Sequence, residues 1–123
     1  MGTGSRGAKP RGRWGERLVE RYLQRQGAVI LERNWRCEHG ELDLVVRDGD
    51  ALVIVEVKTR GTRTFGWPEE AVVATKVKRL RAASEAFLQS CGWEGPWRID
   101  VATVERDDTG AWRIRWLRNA VQG

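Results

Sequence analysis

Residues that commonly build zinc and disulfide sites are scarce in this chain, which has two cysteines and one histidine among 123 residues. Cys37 and Cys91 have no CxxC spacing, so neither a structural zinc site nor a disulfide framework is expected. His39 lies in a predicted loop, where a lone histidine is more often solvated than catalytic. We therefore place no thiol and no histidine in the candidate site.

Long apolar runs are also absent, and so is a signal-peptide pattern. We therefore expect a cytoplasmic protein with no membrane partner. A length of 123 residues with 41% hydrophobic residues supports one domain with one core. We place this domain at residues 13–120, because residues 1–12 are glycine-rich, basic and without periodicity and so predict a disordered arm.

Acidic residues are too few to balance the basic ones, and the formal net charge is +5. The first 36 residues hold nine Lys or Arg and three Glu. Basic segments bind phosphates through counterion release, which gives a salt-sensitive affinity without sequence information. The sequence therefore indicates a nucleic-acid partner, with DNA and RNA both open on charge alone.

Ionisable residues stand inside two apolar, strand-like runs at residues 42–47 and 51–58. The turn Asp48-Gly49-Asp50 between them is a strong β-hairpin signal. A two-residue loop would bring three charged side chains onto one face, whereas a three-residue loop would separate them unless a bulge restored the register. The three side chains are Asp43, Glu56 and Lys58.

Two carboxylates a few ångströms apart suit a hard divalent cation such as Mg²⁺, which takes one or two carboxylates from protein and keeps several waters. A lysine on the same face can orient a water or offset negative charge on a phosphate. These groups fit phosphodiester hydrolysis. They also fit a solvated strand face with an ordinary cross-strand ion pair, which is worth no more than about 1 kcal/mol.

An ordered series of short motifs covers nearly the whole chain after the first dozen residues. The motifs are Trp14-Gly15-Glu16, Arg33-Asn34-Trp35-Arg36-Cys37, Gly40-Glu41-Leu42-Asp43-Leu44, Val55-Glu56-Val57-Lys58-Thr59-Arg60, Phe65-Gly66, Lys76 with Arg79-Leu80, and Arg98-Ile99-Asp100-Val101. In this order they resemble the YraN-like family of predicted endonucleases. That family lies in the restriction-endonuclease-like group, whose PD-(D/E)XK signature is an Asp, a spacer and Glu-x-Lys. Leu42 stands where the wider group often has a proline.

The resemblance implies a Mg²⁺-dependent endonuclease, with Mn²⁺ as an alternative, that acts on DNA in a structure-directed way like a Holliday junction resolvase. The predicted metal ligands are Asp43, Glu56 and Val57. Lys58 is the implied catalytic lysine, and Glu16 is an implied further acidic group. Resolvases of this kind usually work as dimers, so a homodimer is also implied.

Two other functions stay open from the sequence. The main one is a nucleic-acid-binding scaffold that keeps the fold and the basic face without cleaving. The other is metal-dependent chemistry on a different phosphate ester, although the chain has no nucleotide-binding loop such as a P-loop.

Two amphipathic helices are predicted on either side of the hairpin. The first covers residues 14–26, and Glu16 lies at the edge of its apolar face, where it either faces the sheet or favours the helix dipole. The second begins at Pro68 and runs to about Cys91. Lys76 lies in the middle of its apolar arc, so its head either enters the acidic site or snorkels to solvent.

Several basic residues are predicted to contact nucleic-acid phosphates, namely Arg17, Arg21, Arg36, Arg60 and Arg79. Arg17 and Arg21 form a stripe with Arg25 on the first helix, and a solvated helix face explains this stripe as well as phosphate contact does. Arg60 precedes a polar loop predicted at residues 61–67. Trp35 could stack on a base, but packing is the more common role.

Further strands are predicted at residues 28–32, 97–104 and 111–118, and the last two form a hairpin. Asp100 interrupts the second of these runs, either as a buried ion pair with an arginine or as a site residue. The order of elements predicts an α/β domain with a mixed sheet flanked by helices. This order agrees with the αβββαβ core that the resemblance implies, followed by a C-terminal β-hairpin.

Overall fold

The computed structural model describes residues 10–60 and 70–121, and the side chains of residues 13–59 and 74–121. Most of the predicted arm, the predicted loop at residues 61–67 and the helix start at Pro68 lie outside the described residues. The elements are α1 (Pro10–Arg25), β1 (Val29–Cys37), β2 (Gly40–Asp48), β3 (Ala51–Arg60), α2 (Glu70–Cys91), β4 (Trp97–Arg106) and β5 (Trp112–Val121).

The five strands form one sheet in the order β1-β2-β3-β4-β5. The β3–β4 pair is parallel and the other pairs are antiparallel. The parallel pair requires a crossover connection, and α2 lies within it. The predicted α/β class, the mixed sheet, the αβββαβ order and the C-terminal hairpin are therefore confirmed. No helix of the described residues is long and apolar enough to cross a bilayer.

Helix α1 begins at Pro10, earlier than the predicted start at Trp14, so the last three residues of the predicted arm belong to this helix. Proline suits the first turn because its missing N–H would have no helical partner there. The helix ends at Arg25, and Gly27 follows with a φ of 99° that allows the N–H of Ala28 to reach the carbonyl of Leu23 at 3.0 Å.

Strand β1 extends beyond the predicted strand at residues 28–32, because the segment from Arg33 to Cys37 continues it. Pairing with β2 holds this segment, with a register shift between Ile30 and Glu32. Trp35 packs edge-on against Phe87 of α2, with ring centroids 5.1 Å apart. The packing role of Trp35 is therefore confirmed.

The two helices cover opposite faces of the sheet, and each face has its own apolar core. We call them the α1-side core and the α2-side core. The α1-side core contains Val19, Leu23, Ala28, Leu44, Val46, Val53, Val55, Ala102 and Val104, with Trp112, Ile114 and Trp116 of β5 packed against it. The α2-side core contains Leu42, Val45, Leu52, Ile54, Ala83, Phe87, Leu88 and Ile99.

Asp100 in β4 is fully buried and serves the fold. Its carboxylate accepts hydrogen bonds from Arg98 Nε at 3.0 Å, Trp116 Nε1 at 2.8 Å and the main-chain N–H of Asn119 at 2.6 Å. Arg98 also donates to Asp48 at 2.8 Å. The predicted ion pair with an arginine is confirmed, and it ties β4 to β5 and to the β2–β3 turn.

Replacing Asp100 with alanine is expected to lower the free energy of unfolding by about 3 kcal/mol, because it leaves buried donors without an acceptor. Urea unfolding followed by tryptophan fluorescence measures this change. Asp108→Ala removes an exposed carboxylate from the β4–β5 turn and should change the free energy by less than about 0.5 kcal/mol. Equal losses in the two variants would contradict the structural role.

Candidate active site

The β2–β3 hairpin turns through two residues, Gly49 and Asp50, because Asp48 pairs with Ala51. Gly49 has a φ of 66°. A glycine at the first central position is what a type II′ hairpin turn requires. The loop length that brings the charged residues of the two strands together is therefore the one that the structure adopts.

The paired register of β2 and β3 ends at Leu44 and Val55, although both strands continue. Beyond this pair, Oδ2 of Asp43 accepts the main-chain N–H of Val57 at 2.8 Å. A side-chain acceptor thus replaces main-chain pairing at this point. We call the divergence of the two strands beyond this pair the fork. Continued by one residue beyond Leu44 and Val55, this register would place Asp43 opposite Glu56, as predicted.

Side chains of β2 change the face they occupy at the fork. Leu44 belongs to the α1-side core, whereas Leu42 belongs to the α2-side core. Regular alternation would have placed both on one face. Asp43 lies between them, and its carboxylate interacts with Glu16 of α1 and with Glu56 of β3. At the fork, the carboxylate of Asp43 can therefore interact with side chains from both faces of the sheet.

Glu56 follows Ile54 on the α2 side of β3, and Lys58 follows Glu56 on that side. Oε2 of Glu56 is buried and has no hydrogen-bond partner among the described residues. Glu56 lines a cavity of about 200 Å³ together with His39, Glu41, Lys76 and Arg79. The structure therefore brings Lys76 and Arg79 of α2 to the predicted acidic residue.

Glu16 reaches the fork from the α1 side, where Asn34 holds it. Asn34 Nδ2 donates to Glu16 Oε1 at 2.8 Å, and Arg13 donates to Asn34 Oδ1 at 2.6 Å. Asn34 has a φ of 50°, a conformation that asparagine tolerates better than most residues. Glu16 and Asp43 are close enough for their charges to influence each other, so both carboxyl groups can be ionised together only with a nearby cation.

Burial makes the carboxyl groups at the fork weak acids. Desolvation and the charge of Asp43 raise the pKa of Glu56 to about 8, although Lys58 opposes this. Desolvation raises the pKa of Asp43 to about 7, against the hydrogen bond from Val57. Desolvation also raises the pKa of Glu16. The fork thus holds more acidic groups than it can keep ionised without a cation.

A groove of about 390 Å³ runs along α1 on the other side of the sheet. Its lining residues are Arg13, Glu16, Arg17, Glu20, Arg21, Arg33, Asn34 and Leu44, and we call it the α1 groove. Arg33 is held by Glu20 through hydrogen bonds of 2.8 and 2.6 Å. Arg17 and Arg21 are exposed and make no hydrogen bond or ion pair with described residues. They are therefore available to an anionic ligand.

Two other predicted phosphate contacts, Arg36 and Arg60, have less structural support. Arg36 is exposed on β1 and lies 3.8 Å from Glu41 in an ion pair. Arg60 is the last residue of β3, and its side chain lies outside the described residues. These two arginines stay predictions.

Sequence reasoning assigned no role to Asn34 and set His39 aside. Asn34 positions Glu16, and its signal was an asparagine in a strand-like run, where that residue is uncommon. His39 lines the Glu56 cavity. No sequence signal placed it there, because the position depends on how the β1–β2 connection meets α2.

The sequence profile of the uncharacterised protein family UPF0102 matches residues 15–104. The chain belongs to this family. UPF0102 is the YraN family, so the resemblance seen in the motifs is confirmed. A UPF0102 protein of Beutenbergia cavernae is 48% identical over 108 residues, which cover 87% of this chain and 92% of that protein.

A UPF0102 protein of Pseudomonas aeruginosa strain LESB58 is 41% identical over 121 residues, which cover 96% of this chain and 97% of that protein. Among solved structures, this UPF0102 chain is similar to Pyrococcus furiosus SfsA in complex with Ca²⁺, with a TM-score of 0.39 and 16% identity. The match covers 91% of this chain and 64% of that chain.

The raised pKa values at the fork predict that metal-free protein loses stability as the pH rises. A carboxyl group with a raised pKa binds its proton more tightly in the folded state, so the stabilisation is present below the unfolded pKa of about 4.3 and is lost as the pH passes the folded value. Glu56→Gln removes this loss. We expect the variant to match wild type at pH 5 and to exceed it by about 1–3 kcal/mol at pH 8.5.

Urea unfolding in EDTA at both pH values measures this effect. Glu85→Gln, on an exposed position of α2, is the matched control and should follow wild type at both pH values. A Glu56→Gln variant that is no more stable than wild type at pH 8.5 would show that Glu56 is not a destabilised buried carboxyl group.

Proposed function

We propose that this UPF0102 chain is a metal-dependent nuclease that hydrolyses phosphodiester bonds in DNA. The observation that carries the proposal is the fork, where Asp43 and Glu56 meet beside Lys58 and a buried oxygen of Glu56 has no partner among the described residues. A buried, unsatisfied carboxylate costs free energy in the absence of a ligand. Proteins keep such groups mainly where the ligand or the chemistry requires them.

A hard divalent cation fits this donor set. No group of three or more His, Cys, Asp or Glu side chains in the described part of the chain is arranged to hold a metal. Mg²⁺ does not need such a group, because it binds one or two carboxylates and keeps several waters. Asp43 and Glu56 would supply the carboxylates, and Val57, the residue of β3 after Glu56, would supply a main-chain carbonyl. A bound Mg²⁺ or Mn²⁺ would polarise a phosphoryl oxygen and acidify a water molecule.

The remaining residues position the acidic groups and the substrate. The N–H of Val57 fixes one oxygen of Asp43, and the other oxygen would bind the ion. Asn34 fixes Glu16 against Asp43, which keeps a third carboxyl group available to hold a proton. Lys58 lies on the Glu56 face and would stabilise negative charge on the phosphate. Lys76 would reach the same phosphate from α2, across the cavity that it shares with Glu56.

The substrate we propose is DNA whose shape, not its base sequence, is recognised. Arg17, Arg21 and Arg79 offer phosphate contacts, and phosphate contacts carry no base information. A branched DNA cut on two strands would require two copies of the site, which supports a homodimer.

Wild type should cut labelled four-way junction, flap, duplex or single-stranded DNA when Mg²⁺ or Mn²⁺ is present and not in EDTA. Asp43→Asn and Lys58→Ala should each reduce the rate by at least about 100-fold, because each removes charge from the reacting centre. Both variants should still bind the DNA. Binding without cutting by wild type would favour the scaffold function instead.

Metal binding can be measured without activity. Mg²⁺ should raise the melting temperature of wild type at pH 8, because the ion binds the folded state only. Asp43→Asn should show little or no shift, and Asp108→Ala should keep the wild-type shift. Equal shifts in all three proteins would place the metal elsewhere.

The α1 groove predicts a charge effect on binding. The double variant Arg17→Gln, Arg21→Gln should weaken DNA binding and reduce the slope of log affinity against log salt by about two, because two phosphate contacts are lost. Arg25→Gln, from the same helical stripe but outside the groove lining, should keep the wild-type slope. Fluorescence anisotropy between 50 and 200 mM salt measures the slopes. Equal slopes in all proteins would make the stripe a solvated helix face.

A further inference from the structure

A second buried polar atom without a partner among the described residues lies on β4, the strand next to β3 of the fork. Thr103 in β4 is 7% exposed, and its Oγ1 has no hydrogen-bond partner among the described residues. Leaving such a hydroxyl unpaired destabilises the folded state. Valine has nearly the same shape and would avoid this cost. A threonine at this buried position is explained if a ligand forms a hydrogen bond with its hydroxyl.

Thr103 faces the same side of the sheet as Glu56. Its neighbours Ala102 and Val104 belong to the α1-side core, so Thr103 points to the opposite side. In β3, Val55 belongs to the α1-side core and Val57 packs against it, which places Glu56 and Lys58 on that opposite side as well.

The sheet register joins Thr103 to two cations. Lys58 of β3 pairs with Thr103, and Thr103 pairs with Arg115 of β5. Ile114 and Trp116, on either side of Arg115, pack against the α1-side core, so Arg115 also faces the Glu56 side. Adjacent strands lie about 4.8 Å apart. The three side chains therefore form one row across the sheet, and we call it the Lys58 row.

Arg115 differs from the other arginines of β5. Arg113 donates to Asp107 at 2.8 Å, and the guanidinium of Arg118 lies 3.8 Å from the centroid of the Trp116 ring. Arg115 is exposed and makes no hydrogen bond or ion pair with described residues. The acidic residue on this face of β4, Glu105, pairs in the register with Arg113. Within the part of the chain that the structure describes, Arg115 is thus the arginine of β5 that no side chain engages.

We propose that Thr103 and Arg115 of the Lys58 row bind a phosphate of the DNA strand next to the phosphate to be cleaved, which Lys58 contacts. This proposal rests on the nuclease function proposed above and adds the path of the strand, from the fork across β4 to β5. A neutral hydroxyl donor beside the cationic guanidinium of Arg115 suits a phosphate, whose oxygens accept from several directions. The substrate is therefore a polynucleotide, because a small phosphate ester has no second phosphate for the row.

Binding of a fluorescein-labelled single-stranded oligonucleotide, measured by anisotropy in EDTA, tests the row without any cleavage. Arg115→Gln should weaken binding about 3–10-fold and lower the salt slope by about one, since one phosphate contact is lost. Arg47→Gln removes an exposed arginine near the β2–β3 turn and is the charge-matched control. It should stay within about twofold of wild type with an unchanged slope.

Thr103→Val tests the hydroxyl itself. It should weaken binding about 3–10-fold while leaving the unfolding midpoint in urea unchanged or higher, because it removes an unpaired buried hydroxyl. Thr103→Ser keeps the hydroxyl and should restore binding. The double variant Thr103→Val, Arg115→Gln should lose less than the product of the two single losses, because both residues contact one phosphate.

The outcomes separate this proposal from the nuclease function. If wild type binds and cuts DNA but Arg115→Gln behaves like Arg47→Gln, or Thr103→Val binds like wild type, the row is wrong and the nuclease stands. If wild type binds no oligonucleotide at all, both proposals fail.

Discussion

The hydrogen bond from the N–H of Val57 to the carboxylate of Asp43 is the contact on which the candidate site depends. Strand β3 has to leave β2 and continue beside β4, and at the point of divergence a main-chain donor loses its usual acceptor. Asp43 satisfies that donor with a side chain. The same contact fixes the carboxylate within reach of Glu16, Glu56 and the Lys58 face. The hydrogen bond between Val57 and Asp43 therefore both replaces the lost strand pairing and positions the acidic cluster.

The buried carboxylates of Asp100 in β4 and Glu56 in β3 differ in how the cost of removing them from water is offset. Asp100 has donors from Arg98, Trp116 and Asn119, so its charge stabilises the sheet. Glu56 has a buried oxygen without any donor in the described part of the chain. The first pattern is typical of a structural ion pair and the second of a group that requires a ligand. This contrast supports a functional reading of Glu56 more strongly than its place in the motif does.

Local signals in the sequence predicted most of the fold. Alternation and the turn Asp48-Gly49-Asp50 predicted the first hairpin, and the loop length then predicted that Asp43 and Glu56 converge. The sequence left open whether residues 33–36 form a loop or a strand end, because the extension of β1 to Cys37 depends on pairing with β2 and not on local preference. Asn34 and Thr103 were missed as well, since their roles depend on register and side-chain partners. The family was predicted from motifs, whereas its catalysis and metal binding stay predictions.

The parallel pairing of β3 with β4 has a consequence for the order of folding. Glu16, Asp43 and Glu56 all lie in the first half of the chain, within α1 and the meander β1–β2–β3, so local contacts can assemble the acidic cluster early. Strand β4 follows only after the connection through α2, and until it docks the free edge of β3 can pair with another chain. During synthesis, the first half of the chain would therefore form an intermediate that already holds the acidic cluster. The edge of β3 would still be unpaired in this intermediate, which would make it prone to self-association.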